Sequence, residues 1–483
     1  MTYPRLVVAA ALLALAAGCT PSTSSSTAPG QTAQVPAKPT KPGAFSRDQL
    51  MADTRELARI IEDTHPDPYS SGGGRIAFHR RLHTVLNAIP GEGMTKDEFY
   101  RLLRPFVAGV GDAHTNFTRG YVIDHARPGG VPLRFKVVEE FLVVVGIERP
   151  HQALLGSRLV SIEGLPLAEL VARQRRLQGI DNQYHALHVL ATRSLAHRAY
   201  MQDLIPEWKD GTHVRVELLK PDGGMAALDL AQPGKDPAEV RPPSRVVLPA
   251  PGESGFRRAF LAPPDGGQEV AYVRFTHMGG YRETREQRDP IITKIARPPS
   301  ATDSFRELVV EMKQRQTQTL ILDVRGNPGG NSLISEILVY YLYGREKLLE
   351  MAGVGSGEHG AFRAEYDAGT YSGYYRPKHV FVLCDAGTLS AGFSVVVEFW
   401  RLGATTVGTP PAQAPNSYGS GTIWKLRHTG LEGQVPMISA AHFPDDPSKA
   451  HVLPVDHRLT YERLATYSFD PNAEYLYALA LRW

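Results

Sequence analysis

Cysteine is nearly missing from this chain. Cys19 and Cys384 are its two thiols in 483 residues, too few for a disulfide-stapled scaffold, and no Cys/His or carboxylate cluster has the spacing of a zinc site. Charge of one sign is scarce as well: the net charge is +3 and no long basic run disturbs the balance, so nucleic-acid binding has no electrostatic footprint. Beyond residue 19 no apolar run is long enough to span a bilayer. The strands of the C-terminal half are followed neither by a phosphate loop ending in Gly-Lys-Ser/Thr nor by a well-placed G-x-G-x-x-G, which argues against a doubly wound nucleotide binder.

What is present is an ordinary globular supply of apolar residues, 42%, in a chain long enough for two or three domains. Segment 1–19, MTYPRLVVAAALLALAAGC, has a short front bearing Arg5, an apolar core over 6–17 and then Gly18-Cys19. This is the pattern of a secretory signal, too short for a membrane span. Its Ala16-Ala17-Gly18-Cys19 ending resembles a bacterial lipoprotein signal. That resemblance implies that Cys19 is diacylated and anchors the chain in the cell envelope. Segment 20–45, rich in Ser, Thr, Pro and Gln, reads as a disordered tether. Cys384, inside an apolar run, reads as a packed strand residue, and no intrachain disulfide remains.

Two stretches carry chemistry. In 380–402, VFVLCDAGTLSAGFSVVVEFWRL, a buried strand meets turn residues, and Phe393, Val396, Val397 and Trp400 then recur at helical spacing until Gly403. Ser390 therefore stands where a strand gives way to a helix, among free backbone N–H groups that favour a growing negative charge; it is either an N-cap or a nucleophile. In 319–330, TLILDVRGNPGG, a second strand ends in a loop where Pro328 precedes two glycines able to aim N–H groups at a ligand.

These residues resemble the S41 serine peptidases, a family that includes the tail-specific C-terminal processing proteases, the tricorn core and a chlamydial secreted protease. Asp323, Arg325, Asn327, Gly329 and Gly330 match its D-x-R-x-N-x-G-G strand end, and Thr388, Ser390 and Ala391 match its T-x-S-A nucleophile turn. The resemblance implies a ClpP/crotonase-like α/β core, a nucleophilic Ser390, and an oxyanion site at Gly329, Gly330 and Ala391. It implies no metal or cofactor.

Segment 46–128 carries three helical patterns and ends in a loop with Asp112-Ala113-His114. That loop resembles the D-x-H-x segment of the His-dependent branch, which makes His114 the general base; His457 and His277 stand in no matching segment. Segment 129–231 reads as strands and short helices, either a PDZ-like insert, which would capture extended peptides at a sheet edge, or an unrelated β-rich one. A Pro-rich linker, 232–268, leads to the catalytic core at 269–483, where strands alternate with helices. The tail-specific branch carries a lysine in a T-F-G-K-G-like stretch; here Pro415-Asn416-Ser417-Tyr418-Gly419 resembles the Ser/His branch instead, and Lys425 lies further on. A histidine base needs a carboxylate partner. The resemblance implies Asp446, because the Ser/His branch places its acidic member at about that remove from the nucleophile, with Asp445 and Asp456 as alternatives.

The reading is thus a serine peptidase acting on proteins or peptides in the cell envelope. A catalytically silent peptide or apolar-ligand binder on the same scaffold is the rival from another class, and an esterase the third possibility. Oligomeric state leaves no trace in the sequence.

Overall fold

The computed structural model describes residues 42–117, 129–209, 211–232, 239–250, 252, 255–283, 298–352 and 372–482. The signal segment, Cys19 and most of the tether lie outside the described residues.

The N-terminal helices form where the patterns predicted them. Arg47–Thr64 and Lys96–Ala108 each open on a capping box, Ser46 with Gln49 and Thr95 with Glu98, which satisfies amides that the first turn leaves open. With Arg75–Ala88 they bury Leu57, Ile61, Phe78, Phe99, Leu103 and Phe106. That core is not self-contained. Trp424, Leu426, Leu431 and Val435 enter it from the far hairpin Asn416–Lys425 and Glu432–Ala441, and the short strand Asn116–Phe117 pairs with Gln434 and Gly433 of the same hairpin. The C-terminal region therefore closes the N-terminal subdomain and brings the residues just after His114 to its own sheet.

The insert is β-rich. Strand Phe141–Glu148 pairs with Arg134–Val138 on one side and Arg158–Ile162 on the other, and the sheet continues through His213–Leu219 to Met225–Ala231, all antiparallel. Helices Leu167–Leu177, Gln183–Val189 and Arg198–Leu204 pack on it. The helical path from Gln183 to Leu204 is interrupted. Leu195 N–H reaches Leu190 O over five residues, so a π turn at Leu190–Ser194 divides it.

The core sheet has six strands lying side by side in chain order: Phe256–Leu261, Val270–Phe275, Thr319–Asp323, His379–Cys384, Thr405–Gly408 and His457–Arg458. The first pair is antiparallel and the rest parallel. Parallel neighbours need crossovers, and helices Ala301–Arg315, Leu333–Tyr343 and Ala391–Arg401 supply them. Alternation along the strands then sorts the faces. Ala271, Val273, Leu320, Leu322, Val380 and Val382 pack under the crossover helices, whereas Val270, Tyr272, Ile321 and Phe381 meet helix Ala473–Ala480 on the opposite face. Both faces are covered, so these strands read as continuous apolar runs. Cys384 is buried, as expected. The loops after Thr319–Asp323 and His379–Cys384, two adjacent strands, leave the same end of the sheet together.

Candidate active site

Ser390 follows strand His379–Cys384 and precedes helix Ala391–Arg401, with φ 53° and ψ −128°. A residue with a side chain rarely adopts that region, and the strain persists only where neighbours over-determine it. Here they do. The Ser390 N–H donates to Gln413 Oε1 at 2.6 Å, Leu389 N–H to Asn327 O at 2.9 Å, and Thr388 Oγ1 to Val324 O at 2.8 Å. Although Ser390 occupies the N-cap position, its hydroxyl makes no capping hydrogen bond. The N-cap reading of the sequence is thereby corrected: the backbone turns the corner and the half-buried hydroxyl is left available.

The loop after Thr319–Asp323 is nailed down by a buried ionic network. Arg325 forks onto Asp323, Nε to Oδ1 at 2.9 Å and Nη2 to Oδ2 at 2.7 Å, and its Nη1 reaches Glu474 Oε2 at 2.8 Å. Tyr272 OH and Arg274 also donate to Asp323, each at 2.7 Å, and Lys136 of the insert pairs with Glu474 at 2.6 Å. Burial alone would raise the Asp323 carboxyl; the Arg325 and Arg274 charges overturn that and hold it well below the usual carboxylate range. The Asp and Arg of the sequence motif are thus anchors of the loop.

Asn327 is the hinge between the two turns. Its carbonyl takes the Leu389 N–H, and its Oδ1 accepts the N–H of Gly329 at 2.8 Å. That occupied amide corrects the predicted oxyanion set, because Gly329 already spends its donor on Asn327. Gly330 and Ala391 remain: neither N–H has an acceptor among the described residues. Ala391 is the first residue of its helix, where an open N–H is intrinsic. Gly329 instead serves by having no side chain, since a Cβ there would stand 2.5 Å from Ser390 Cβ.

His114 is buried. Asp112 Oδ1 accepts the N–H groups of His114 at 2.7 Å and Thr115 at 2.8 Å, and Asp112 Oδ2 faces His65 Nε2 at 3.2 Å. His65 Nδ1 accepts the Asp67 N–H at 3.0 Å, so its ring proton belongs on Nε2, pointing at Asp112. Burial raises the Asp112 carboxyl, but hydrogen bonds from His65 and Thr115 outweigh it and hold the group below its ordinary value. Burial pushes the His114 imidazole below its ordinary 6.5, against a smaller opposing pull from Asp112. The ring is therefore neutral at neutral pH, the form a base requires. Its Nδ1 is buried without a partner, and among the described residues no hydrogen bond joins the ring to Ser390 Oγ.

Asp446 is not brought to His114. It caps the short helix Pro447–Lys449, accepts the Ser448 N–H at 3.1 Å and pairs with Lys449 at 2.8 Å in an exposed turn. Asp445 is exposed too, and Asp456 accepts the N–H and hydroxyl of Thr406, both at 2.8 Å. The carboxylates at the histidine segment are Asp112 and Asp181. Asp181 Oδ1 accepts the Ala113 N–H at 2.6 Å and Oδ2 the Ala414 N–H at 3.2 Å. Asp112 was visible in the D-x-H pattern; Asp181 and Gln413 carried no local signal. Lys425 pairs with Glu432 at 2.6 Å on the exposed hairpin. Among the described residues, no three His, Cys, Asp or Glu side chains are placed to hold a metal, and no helix is long and apolar enough to cross a membrane.

Residues 269–431 match the family model of peptidase family S41. The fold is similar to that of mature CPAF, with a TM-score of 0.55 and 14% identity over 90% of this chain and 97% of that one. Mature CPAF complexed with lactacystin gives a TM-score of 0.56 and 14% identity over 90% and 98%. No curated protein matches the chain by sequence. The family match falls on the two stitched turns and on four of the six core strands, Val270–Phe275, Thr319–Asp323, His379–Cys384 and Thr405–Gly408, and it is this region that is similar to peptidase family S41.

Proposed function

We propose that this chain is a lipid-anchored serine peptidase of the bacterial cell envelope that cleaves protein or peptide substrates through Ser390, with His114 as base. The observation that carries the proposal is the backbone at Ser390, a strained corner whose hydroxyl is spared from capping and lies beside the open amide of Ala391. His114 takes the proton from Ser390 Oγ as the oxygen attacks the scissile carbonyl. The N–H groups of Gly330 and Ala391 stabilise the oxyanion, and the imidazolium then protonates the leaving amine. Water, deprotonated by the same ring, releases the acyl group and restores the hydroxyl. Lys425 is a poor rival for the base because it is exposed and already paired with Glu432.

The envelope location rests on segment 1–19 and Cys19. Mass spectrometry of the mature protein should find Cys19 as a diacylated N-terminus, and an unmodified N-terminus elsewhere would refute the anchor. A silent binding protein on the same scaffold draws support from His114 Nδ1, which is buried with no partner among the described residues. Fluorophosphonate labelling separates the readings: wild type should label at Ser390, and Ser390→Ala should neither label nor cleave while keeping its melting temperature. His114→Ala should be inactive and Lys425→Ala close to wild type. No labelling of the wild type would establish the silent reading, and an inactive Lys425→Ala beside an active His114→Ala would establish a lysine base.

A further inference from the structure

We propose that Asp181, contributed by the β-rich insert, is a positioning residue for the peptidase reaction, clamping the histidine segment to the loop that holds the nucleophile. The inference rests on the assignment of Ser390 and His114 as nucleophile and base.

Asp181 lies in the short link between helices Leu167–Leu177 and Gln183–Val189. One carboxylate oxygen accepts the N–H of Ala113, the residue before His114, at 2.6 Å. The other accepts the N–H of Ala414, the residue after Gln413, at 3.2 Å. Gln413 Oε1 in turn holds the Ser390 N–H at 2.6 Å, while its Nε2 is fixed by Ser417 Oγ at 3.0 Å. A single side chain thus sets the separation of two segments remote in sequence, through one residue on the histidine side and two on the serine side. The link is wedged in place. A Cβ at Gly179 would stand 2.1 Å from Asp112 O, so the insert backbone lies directly on the histidine segment. The buried Asn182 donates to Pro411 O at 3.0 Å and His451 O at 3.3 Å, fixing the other side.

Two-ended acceptance is strong only in the ionised form. A protonated carboxyl keeps a strong acceptor only at its carbonyl oxygen, and the leg of the clamp that falls on the hydroxyl oxygen is weakened. Burial, then the Asp112 charge, push the Asp181 carboxyl up to about 7. The groups facing it are Asp112 on the histidine segment, His185 on helix Gln183–Val189, whose Nδ1 accepts the Asp181 N–H, and Tyr418 on the hairpin. His114 titrates below its ordinary 6.5. Activity should therefore rise with pH through two ionisations, the histidine first and Asp181 near 7.

The test is Asp181→Asn in the full chain, which keeps the shape but presents an NH₂ to one of the two N–H donors. We expect kcat per folded molecule to fall about tenfold or more with KM little changed, since only placement of the reacting groups is lost. The rate of fluorophosphonate labelling at Ser390 should fall with it, and the ionisation near 7 should vanish from the pH profile while the histidine one stays. A variant with lower melting temperature but unchanged kcat and pH profile would show a merely structural role and overturn the proposal. Should the variant not fold, the wild-type profile decides alone: a second ionisation near 7 supports the clamp, and a single one below 6.5 overturns it. If wild type fails to label, or His114→Ala keeps full activity, the Ser390/His114 assignment has failed and the clamp falls with it. If both hold and Asp181→Asn behaves as wild type, only the clamp is wrong.

Discussion

Replacing Gly329 by alanine should cripple turnover far more than it harms the fold. Gly329 has φ 104°, and a methyl there would stand 2.5 Å from Ser390 Cβ and 2.9 Å from Ala391 N. Carbon atoms pack at roughly 3.5–4.0 Å, so either the loop or the nucleophile must retreat by about 1 Å. Neither yields freely. The loop is tied through Asn327 and the Asp323–Arg325 pair, and Ser390 by its N–H to Gln413 and the helix behind it. The backbone conformation itself costs about 1–3 kcal/mol for a residue with a Cβ. A displacement of about 1 Å between nucleophile and oxyanion donors costs on the order of a hundredfold in rate. The assay is kcat/KM on a peptide substrate beside the melting temperature, with Gly223→Ala as control. Gly223 also has a positive φ, 86°, but a methyl there meets nothing within 4 Å, so it should lose comparable stability and no activity. Gly329→Ala with wild-type turnover would refute the close approach of the two turns.

Arg325→Met should destabilise the chain by about 3 kcal/mol in urea unfolding, because it removes the forked partner of Asp323 and one of the two cations on Glu474, leaving those buried carboxylates to Arg274 and Lys136 alone; a loss under about 1 kcal/mol would mean that the network does not anchor the loop. Glu398, on the nucleophile helix, is pushed up to about 8 by burial and by nearby Glu336, against a hydrogen bond from Ser335. The folded chain then keeps a proton that the unfolded chain releases near 4.5, so this group's contribution to stability falls as pH rises from 4.5 to about 8. Glu398→Gln should remove that slope, read as melting temperature against pH, and an unchanged slope would show that Glu398 is ionised in the native chain.

Most of the core was determined by the sequence itself. Continuous apolar runs at Thr319–Asp323 and His379–Cys384 define strands buried on both faces, and the helical spacing after Ser390 defines the helix behind it. These are local signals, carried by period and by turn residues. The two turns matched motifs whose residues lie within a few positions of one another, so Ser390, Gly330 and Ala391 stood out as candidates before any fold was known. Whether Gly329 offers its N–H could not, because Asn327 competes for it through a side-chain geometry that no spacing encodes. Asp446 failed for the converse reason: its distance along the chain suited a triad, but its own turn and Lys449 satisfy it locally. Only the tertiary structure decided which carboxylates approach the histidine segment. Asp181 reaches it from a third segment, the insert, and a hydrogen bond between residues remote in sequence leaves no periodicity to read. The same holds for the hairpin of the catalytic region that completes the N-terminal core, since Trp424 and Val435 are ordinary apolar residues until the chain brings them against Phe99 and Leu103.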